Sequence, residues 1–363
     1  MGLGQRATRL SIALAIPSIA VSGCALLGPA SIKHGRAAYN DAIVATNNQQ
    51  VLGMIVRMRY GEPSGLLAVS SVTANLNIQS SIGSEFGIGS DSNFEGNLVP
   101  LSAGIAYEEN PTISYAPVQG ETYLRQMLSP LPIDLAILLL GALGNSPQTM
   151  TLLCKSINGI RNPGLLADPS LEADPRFTRI VALLAELNRA GNVVWAQEGR
   201  KPPSFDLALS GEGTVYAQRV GELYHLLGFA PPHDHGGIVT LPVHLGIGKP
   251  DKPSIRLRTR SLWELFHIAA ASVEVPEEHV ESGLAQRLPP MGAAGQSIHI
   301  RRSEWRPRGA MISVKHHGWW YSIDGTDTQS KLTFRILEAL MSVRMAETVE
   351  QRAAPVLTVP VSR

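Results

Sequence analysis

The sequence has little cysteine and little charge. Its 363 residues include two cysteines, Cys24 and Cys154, which is too few for a disulfide framework. Charged residues make up 17% of the chain, below the usual quarter, whereas 44% is hydrophobic. Because 31 basic residues nearly balance 30 acidic ones, we expect no nucleic-acid partner. The apolar share is large enough for a sizeable core or an apolar interface.

Familiar catalytic motifs are also missing. The chain has no Gly-x-Ser-x-Gly elbow, no Walker loop, no His-Glu-x-x-His pair and no Gly-x-Gly-x-x-Gly segment that opens a helix after a strand. These absences favour a role other than catalysis. They also give no reason to expect an organic cofactor.

The N-terminus has the organisation of a secretory signal. Arg6 and Arg9 are basic, residues 10–20 are apolar, and Val21-Ser22-Gly23 is a run of small residues. The apolar run is too short to cross a membrane as a helix. We therefore assign residues 1–23 to a signal peptide.

Val21-Ser22-Gly23-Cys24 resembles the lipobox of bacterial lipoproteins. The resemblance implies cleavage before Cys24, acylation of that residue, and membrane lipid as a partner. Ala25 in place of Asp implies a lipid anchor in the bacterial outer membrane, with most of the chain facing the periplasm. The whole chain also resembles uncharacterised bacterial lipoproteins over residues 57–60, 156–160 and 330–334, which implies no activity.

A long period-two pattern dominates the N-terminal third. Even positions from Val72 to Ile88 are mostly apolar and odd positions are polar or small, and alternation resumes from Val99 to Tyr107 after the loop 89–96. Strand side chains alternate between two faces, so the pattern predicts a long amphipathic hairpin. Its predicted apolar face comprises Leu76, Ile78, Ile82, Phe86, Leu101, Ile105 and Tyr107.

Two interpretations of this hairpin remain open. A soluble sheet that packs one face on helices produces the same alternation. A hairpin that crosses the membrane as part of an oligomer also explains its length and its small polar residues. Ser80 and Ser84 on the apolar face, and Pro100 near the second strand, argue against the membrane.

The remaining elements are of mixed type and predict an α+β fold. We expect a tether at 24–36, a helix-and-hairpin region at 37–130 with its helix ending at Tyr60, an α+β body at 131–350 and a loosely held tail at 351–363. Within the body we expect a helical pair at 133–160, followed by an antiparallel sheet with helices. A final hairpin turns at His316-His317-Gly318, and a capping box at 326–329 precedes the last helix.

One loop is the best metal candidate by sequence. His233, Asp234 and His235 lie within three residues, and His244 follows nine residues later. Imidazole and carboxylate groups bind Zn²⁺, but the spacing matches no established site, and a loop rich in turn-forming residues explains it equally well. His316 and His317 lie on the predicted turn, where exposed histidines are ordinary.

Two further features concern basic residues and the second cysteine. Arg256, Arg258 and Arg260 alternate along a predicted strand and would suit anionic headgroups if they shared a solvent face.

Cys154, in an apolar stretch, is expected to be a buried inert thiol.

Three classes of function therefore remain. The first is a structural, assembly or export lipoprotein that self-associates or binds envelope proteins, with residues 72–107 in the membrane. The second is a monomeric adaptor that faces the periplasm and binds a partner. The third is a metal-dependent hydrolase that uses His233 and His235.

Overall fold

The structure is a computed structural model with the α+β architecture that the sequence predicts. It describes residues 24–63, 66–73, 76–84, 101–109, 112–118, 120–142, 147–165, 173–199, 204–211, 213–231, 237–350 and 357–360. The helices in this described part of the chain are all too short or too polar to cross a membrane.

The first helix, α1, comprises Cys24–Arg59. It ends where the sequence predicts, but it begins before the expected Ala37 and so includes the segment 24–36 that we predicted as a tether. Its C-terminal half carries apolar residues on most sides, and Leu52, Ile55 and Val56 are fully buried. The helix therefore extends from the candidate lipid site at Cys24 into the protein core.

The predicted long hairpin is present among the described residues, and its predicted parts at 85–88 and 99–100 lie outside them. Its strands are β1 (Leu66–Thr73), β2 (Leu76–Ser84), β3 (Leu101–Glu109) and β4 (Thr112–Val118). Strand β1 pairs with β4, and β2 pairs with β3, both antiparallel. The first arm of the hairpin (β1 and β2, residues 66–84) thus pairs with the second arm (β3 and β4, residues 101–118) at the described positions.

The middle of the chain mixes helices and strands. In order these are α2 (Glu121–Leu128), α3 (Ile133–Ala142), α4 (Pro147–Leu153), β5 (Cys154–Ile157), β6 (Ile160–Arg161), α5 (Pro175–Arg189), β7 (Val193–Glu198), β8 (Ser204–Ser210), α6 (Thr214–Leu227), β9 (Ile238–Leu245) and β10 (Ile255–Thr259). The predicted helical pair at 133–160 is wrong after Leu153. Asn158 and Gly159 have φ of 49° and 82°, and they form a tight turn between β5 and β6 that a helix cannot contain.

These strands form a six-stranded sheet in the order β6-β5-β10-β9-β8-β7. All neighbours are antiparallel except β9 and β10, which are parallel, so the expectation of an antiparallel sheet is wrong for this pair. In β8, Phe205, Leu207 and Leu209 are buried while the residues between them are partly exposed. Helices supply the cover for this apolar face.

The C-terminal part contains α7 (Leu262–Ala271), α8 (Glu277–Glu281), β11 (Arg301–Ser303), β12 (Ala310–His316), β13 (Trp319–Asp324), α9 (Thr328–Glu350) and β14 (Leu357–Pro360). The predicted final hairpin is confirmed as β12–β13, and β11 completes an antiparallel three-stranded sheet. Residues 357–360 of the expected loose tail pair with β4, because that strand offers them a free edge.

The predicted capping box is wrong by one residue. The carboxylate of Asp327 accepts a hydrogen bond of 3.0 Å from the backbone N–H of Ser330, so Asp327 caps α9. Thr326 instead donates its N–H and hydroxyl to Asp324. An aspartate is the stronger N-cap, which explains the shift.

A single hydrophobic core links the N-terminal helix with the rest of the protein. Helix α1 packs against α7 and β12, and its buried residues share one cluster with Leu265, Phe266 and Phe334. The domain boundary between 130 and 131 stays a prediction. This packing brings the end of α1 to the turn of the β12–β13 hairpin.

Candidate functional site

The end of α1 places a carboxylate beside the C-terminal hairpin. Gly61 has φ of 70°, its N–H donates to Met58, and the N–H of Glu62 donates to Arg57. This is a Schellman motif, which requires a left-handed residue after the helix. Any side chain at position 61 would also meet Nε2 of Gln286 at 2.7 Å. The local sequence thus fixes the direction in which Glu62 leaves the helix.

The β12–β13 hairpin places two imidazoles at its turn. His316 pairs with Trp319, which leaves His317 and Gly318 as a two-residue loop with φ of 43° and 83°. Positive φ at both positions is typical of a type I′ turn. Glycine adopts this conformation freely, and histidine is among the few other residues enriched there. A side chain at a strained position is often functional.

Glu62, His316 and His317 converge, although more than 250 residues separate Glu62 from the histidines. Nε2 of His317 donates a hydrogen bond of 2.6 Å to Oε1 of Glu62. Nε2 of His316 lies 3.0 Å from Oε2 of the same carboxylate. The imidazole centroids are 4.3 Å apart, and one donor atom from each residue lies within 4.8 Å of the others.

The two histidines differ in how their nitrogens are satisfied. Nε2 of His316 is inaccessible to solvent, and although it lies 3.0 Å from Oε2 of Glu62, it makes no hydrogen bond of good geometry there. The His316 side chain is 18% exposed and that of His317 is 32% exposed. A buried nitrogen without a partner is unfavourable, so this atom is suited to an additional ligand.

The electrostatic environment favours an ionised carboxylate and a neutral His316. Burial by itself would raise the pKa of Glu62, but the hydrogen bond from His317 and the charges of the histidines and Arg57 outweigh it, so this pKa is lowered. Burial is the main cause of the lowered pKa of His316, and the nearby carboxylate only partly opposes it. A carboxylate beside a neutral imidazole is the donor combination that transition metals bind.

Aromatic residues form the floor of the cluster. The Tyr60 ring lies 5.1 Å from that of His316 and 4.7 Å from that of His317. Its hydroxyl is 2.8 Å from Nδ1 of His279 and 2.5 Å from the hydroxyl of Tyr321. Burial raises the pKa of both tyrosines above its ordinary value, so both remain neutral phenols and hold the floor in place.

A polar groove opens beside the cluster, between α1 and β12. It has a volume of about 360 Å³, and His316 forms part of its wall. The polar residues that line it are Thr46, Gln49, Gln50, Arg57, Lys315 and His316. A second groove of about 180 Å³ follows the same strand and shares Gln49. Small solutes and ions therefore come close to the His316 side chain, although its Nε2 atom is not itself exposed.

The sequence-predicted metal residues are not part of this cluster. His233, Asp234 and His235 lie outside the described residues. His244 is exposed on β9, opposite Arg256. Among the described residues, the group with metal-ligand spacing consists of Glu62, His316 and His317.

The predicted lipid site and hairpin residues belong to α1 and to strands β2 and β3 where the structure describes them. Cys24 is the first residue of α1. In the register of β2 and β3, residues of the predicted apolar face on one strand lie opposite residues of the same face on the other. The pairs are Ile78 with Tyr107, Ser80 with Ile105, Ile82 with Ala103 and Ser84 with Leu101. Leu76 is the exception, because it lies opposite Glu109. Phe86 lies outside the described residues.

Sequence reasoning missed Glu62, Tyr60 and His279 as members of a site. The adjacent histidines at a turn were a visible signal, but the partner carboxylate follows a helix stop and has no motif of its own. Comparison with known proteins supplies no further guidance, because no family model, curated protein or solved structure matches this chain.

Proposed function

We propose that the protein is a lipid-anchored lipoprotein of the bacterial outer membrane with a structural, assembly or export role. In this proposal Cys24 carries the lipid and the β2–β3 hairpin enters the membrane within an oligomer. The signal pattern at 1–23 and the Val21-Ser22-Gly23-Cys24 sequence support the anchor. Envelope proteins or further copies of this chain are the expected partners.

The pairing of β2 with β3 is the observation that carries the membrane part of the proposal. Each strand has nine residues, close to the roughly 9–11 that a tilted strand needs to cross the hydrocarbon layer. The antiparallel register continues over all nine pairs without a shift. It therefore keeps the alternation of both strands in step over this length, with apolar residues at most positions of one face and Ser80, Ser84 and Glu109 as the exceptions.

The same observation gives the reason for an oligomer. Strands β2 and β3 form a sheet of two strands in the described part of the chain, so each has an edge that is not paired within this sheet. Unpaired backbone groups in lipid cost several kcal/mol each. Hairpins from other copies would satisfy these edges, and a soluble sheet would not need them.

Labelling with a membrane-impermeant maleimide tests the topology. In a Cys154→Ala background, a cysteine at Asn93, between the two arms, should be labelled in intact cells, whereas one at Ser204, on β8 of the body, should be protected until the cells are permeabilised. Equal protection of both positions would refute membrane insertion. The detergent-extracted protein should also have a mass of several protomers by light scattering.

A matched pair of substitutions tests the two hairpin faces. In the alternating sequence pattern, Ile78 is on the predicted apolar face of the hairpin and Gln79 is on the polar face. Ile78→Arg, between the centre and the end of β2, should cost up to about 2 kcal/mol and reduce the membrane-inserted fraction, whereas Gln79→Arg should be tolerated. Equal recovery of both variants in the membrane would contradict the proposed orientation.

The anchor has its own test. Cys24→Ser should abolish incorporation of radioactive fatty acid and release the protein from membranes, while the control Cys154→Ala should change neither. Persistent fatty-acid labelling of the Cys24→Ser variant would show that Cys24 is not the acylated residue.

A further inference from the structure

We infer that Glu62, His316 and His317 form a binding site for one divalent transition-metal ion, with Zn²⁺ as the expected occupant. Two imidazoles and one carboxylate are a donor set that Zn²⁺ and similar ions prefer over the all-oxygen sites of Mg²⁺ and Ca²⁺. The site goes beyond the proposed anchoring and assembly role and does not depend on it.

The geometry requires only small adjustments. Donor atoms around a tetrahedral Zn²⁺ lie about 3.4 Å apart, and here one donor atom of each residue lies within 4.8 Å of the others. The Glu62 carboxylate already approaches both Nε2 atoms, at 2.6 Å and 3.0 Å. His317 is on a turn and is partly exposed, so a small rotation of its side chain can close the remaining gap.

The buried Nε2 of His316 gives an independent reason for a ligand. Its contact with Glu62 lacks the geometry of a good hydrogen bond, and a metal ion between the two groups would satisfy it. Three protein ligands leave at least one coordination position for water or a bound molecule. The groove borders the His316 side chain, so solvent lies close to the proposed site.

The backbone holds the ligands in place from both sides. The Schellman motif directs Glu62, and the type I′ turn directs His317. Tyr60 packs against both imidazoles and is hydrogen-bonded to Tyr321 and His279. These ring contacts limit the orientations of both imidazoles. Bound metal would then connect the end of α1 with the C-terminal hairpin.

One nearby charge opposes the metal and gives a directional test. Arg57 acts electrostatically on both Glu62 and His316, and its positive charge repels a cation. Arg57→Gln should therefore tighten Zn²⁺ binding by about two- to fivefold. Weaker binding in this variant would contradict the placement of the metal.

The central experiment compares substitutions at two histidine groups in the full-length, detergent-extracted protein after treatment with a chelator. ZnCl₂ titrated by calorimetry should bind with a stoichiometry of one at this site, and MgCl₂ should not bind there. His317→Asn should abolish this binding. The double variant His233→Asn with His235→Asn is the matched control and should retain it.

His317→Asn separates loss of metal from loss of folding. The substitution creates Asn-Gly, the pair that type I′ turns prefer, so the variant should unfold at the same or a higher temperature than the parent in chelator. Glu62→Gln provides a second ligand removal that leaves the turn unchanged. Both variants should lose the rise of about 5 °C in unfolding temperature that excess Zn²⁺ gives the parent.

Three results would overturn the inference. The first is the absence of Zn²⁺ binding by the chelator-treated parent protein. The second is binding that survives both His317→Asn and Glu62→Gln. The third is binding that is lost only in the His233 and His235 variant, which would place the metal in that loop. None of these results affects the labelling tests of the anchor and hairpin.

Discussion

The hydroxyl groups of Tyr60 and Tyr321 are 2.5 Å apart, although 261 residues separate them in the sequence. Tyr60 is the residue that follows α1, and Tyr321 is completely buried at the centre of β13. Their contact fixes the end of the first helix against the last hairpin. It therefore determines the position of Glu62 relative to His316 and His317.

Replacing Tyr321 by Phe should lower the free energy of unfolding by about 1–2 kcal/mol, because the buried hydroxyl of Tyr60 loses one of its two hydrogen-bond partners. Tyr60→Phe should cost more, since it leaves both Tyr321 and His279 without this partner. Urea unfolding of the single and double variants measures the coupling. If the losses of unfolding free energy in the two single variants add up to the loss in the double variant, the contact between the two hydroxyl groups contributes no coupling energy.

Arg260 is a structural residue, which the alternation of Arg256, Arg258 and Arg260 did not predict. Its side chain is 1% exposed and donates to the carbonyls of Thr151, Leu152 and Cys154 at 2.9, 2.7 and 2.7 Å, and also to that of Asn162. Burial lowers the pKa of Arg260 to about 10, so it remains charged at neutral pH. It caps the negative end of α4 and is not available to headgroups.

Arg260→Met should therefore cost about 3–5 kcal/mol of unfolding free energy, because the carbonyls of Leu152 and Asn162 lose the guanidinium donor and those of Thr151 and Cys154 keep only the amide of Asn162. Arg258→Met, at an exposed position of β10 two residues earlier, should change it by less than about 0.5 kcal/mol. Urea unfolding compares the two. Equal effects would show that the backbone carbonyls do not need the guanidinium.

Cys154 should not react with thiol reagents in the native protein. The prediction of a buried thiol is confirmed, since Cys154 is 0% exposed, and burial raises its pKa to about 12, so little thiolate is present. In a Cys24→Ser background, maleimide should modify Cys154 only after denaturation, whereas a cysteine introduced at the exposed Lys252 should react at once. Rapid native labelling of Cys154 would contradict the packing around α4 and β5.

Stability should depend on pH through the cap of α9. Burial by itself would raise the pKa of Asp327, but hydrogen bonds from Ser330 and the charge of His299 lower it overall. The carboxylate therefore stabilises the folded state above its unfolded pKa of about 3.9, and this contribution is lost as pH falls through the lower folded value. Asp327→Asn should cost about 0.5–1 kcal/mol at pH 7.

The difference in unfolding free energy between Asp327→Asn and the parent should decrease when urea unfolding is repeated below pH 4. Asn retains a side chain that can cap the helix, so the comparison isolates the charge. An unchanged difference between pH 7 and pH 3 would show that the ionised carboxylate is not responsible.

Local patterns were sufficient for many elements. Period-two alternation predicted the long hairpin, and Gly61 and Gly318 marked a helix end and a turn that the structure contains. The error at 154–160 came from an overlooked local signal, because Asn158-Gly159 is a strong turn pair. Ser204–Ser210 was not predicted as a strand, although its apolar residues alternate. These residues decide their own conformations because their preferences act over only a few neighbours.

Other positions depended on distant partners. The final strand Leu357–Pro360 forms because β4 offers an edge, and the parallel pairing of β9 with β10 has no marker in either segment. Arg260 appears in the sequence as one of three alternating arginines, but the carbonyls of Thr151 and Leu152 give it a buried role. Burial and long-range hydrogen bonding override such local patterns.

The sequence by itself determined the signal-like N-terminus, the alternating hairpin and the turn that carries His317, since these rest on composition, period and backbone preference. Only the tertiary structure decided that Glu62 meets His316 and His317. That meeting results from packing α1 against α7 and β12, and packing depends on the shapes of many side chains far apart in the chain. No local pattern around Glu62 encodes it.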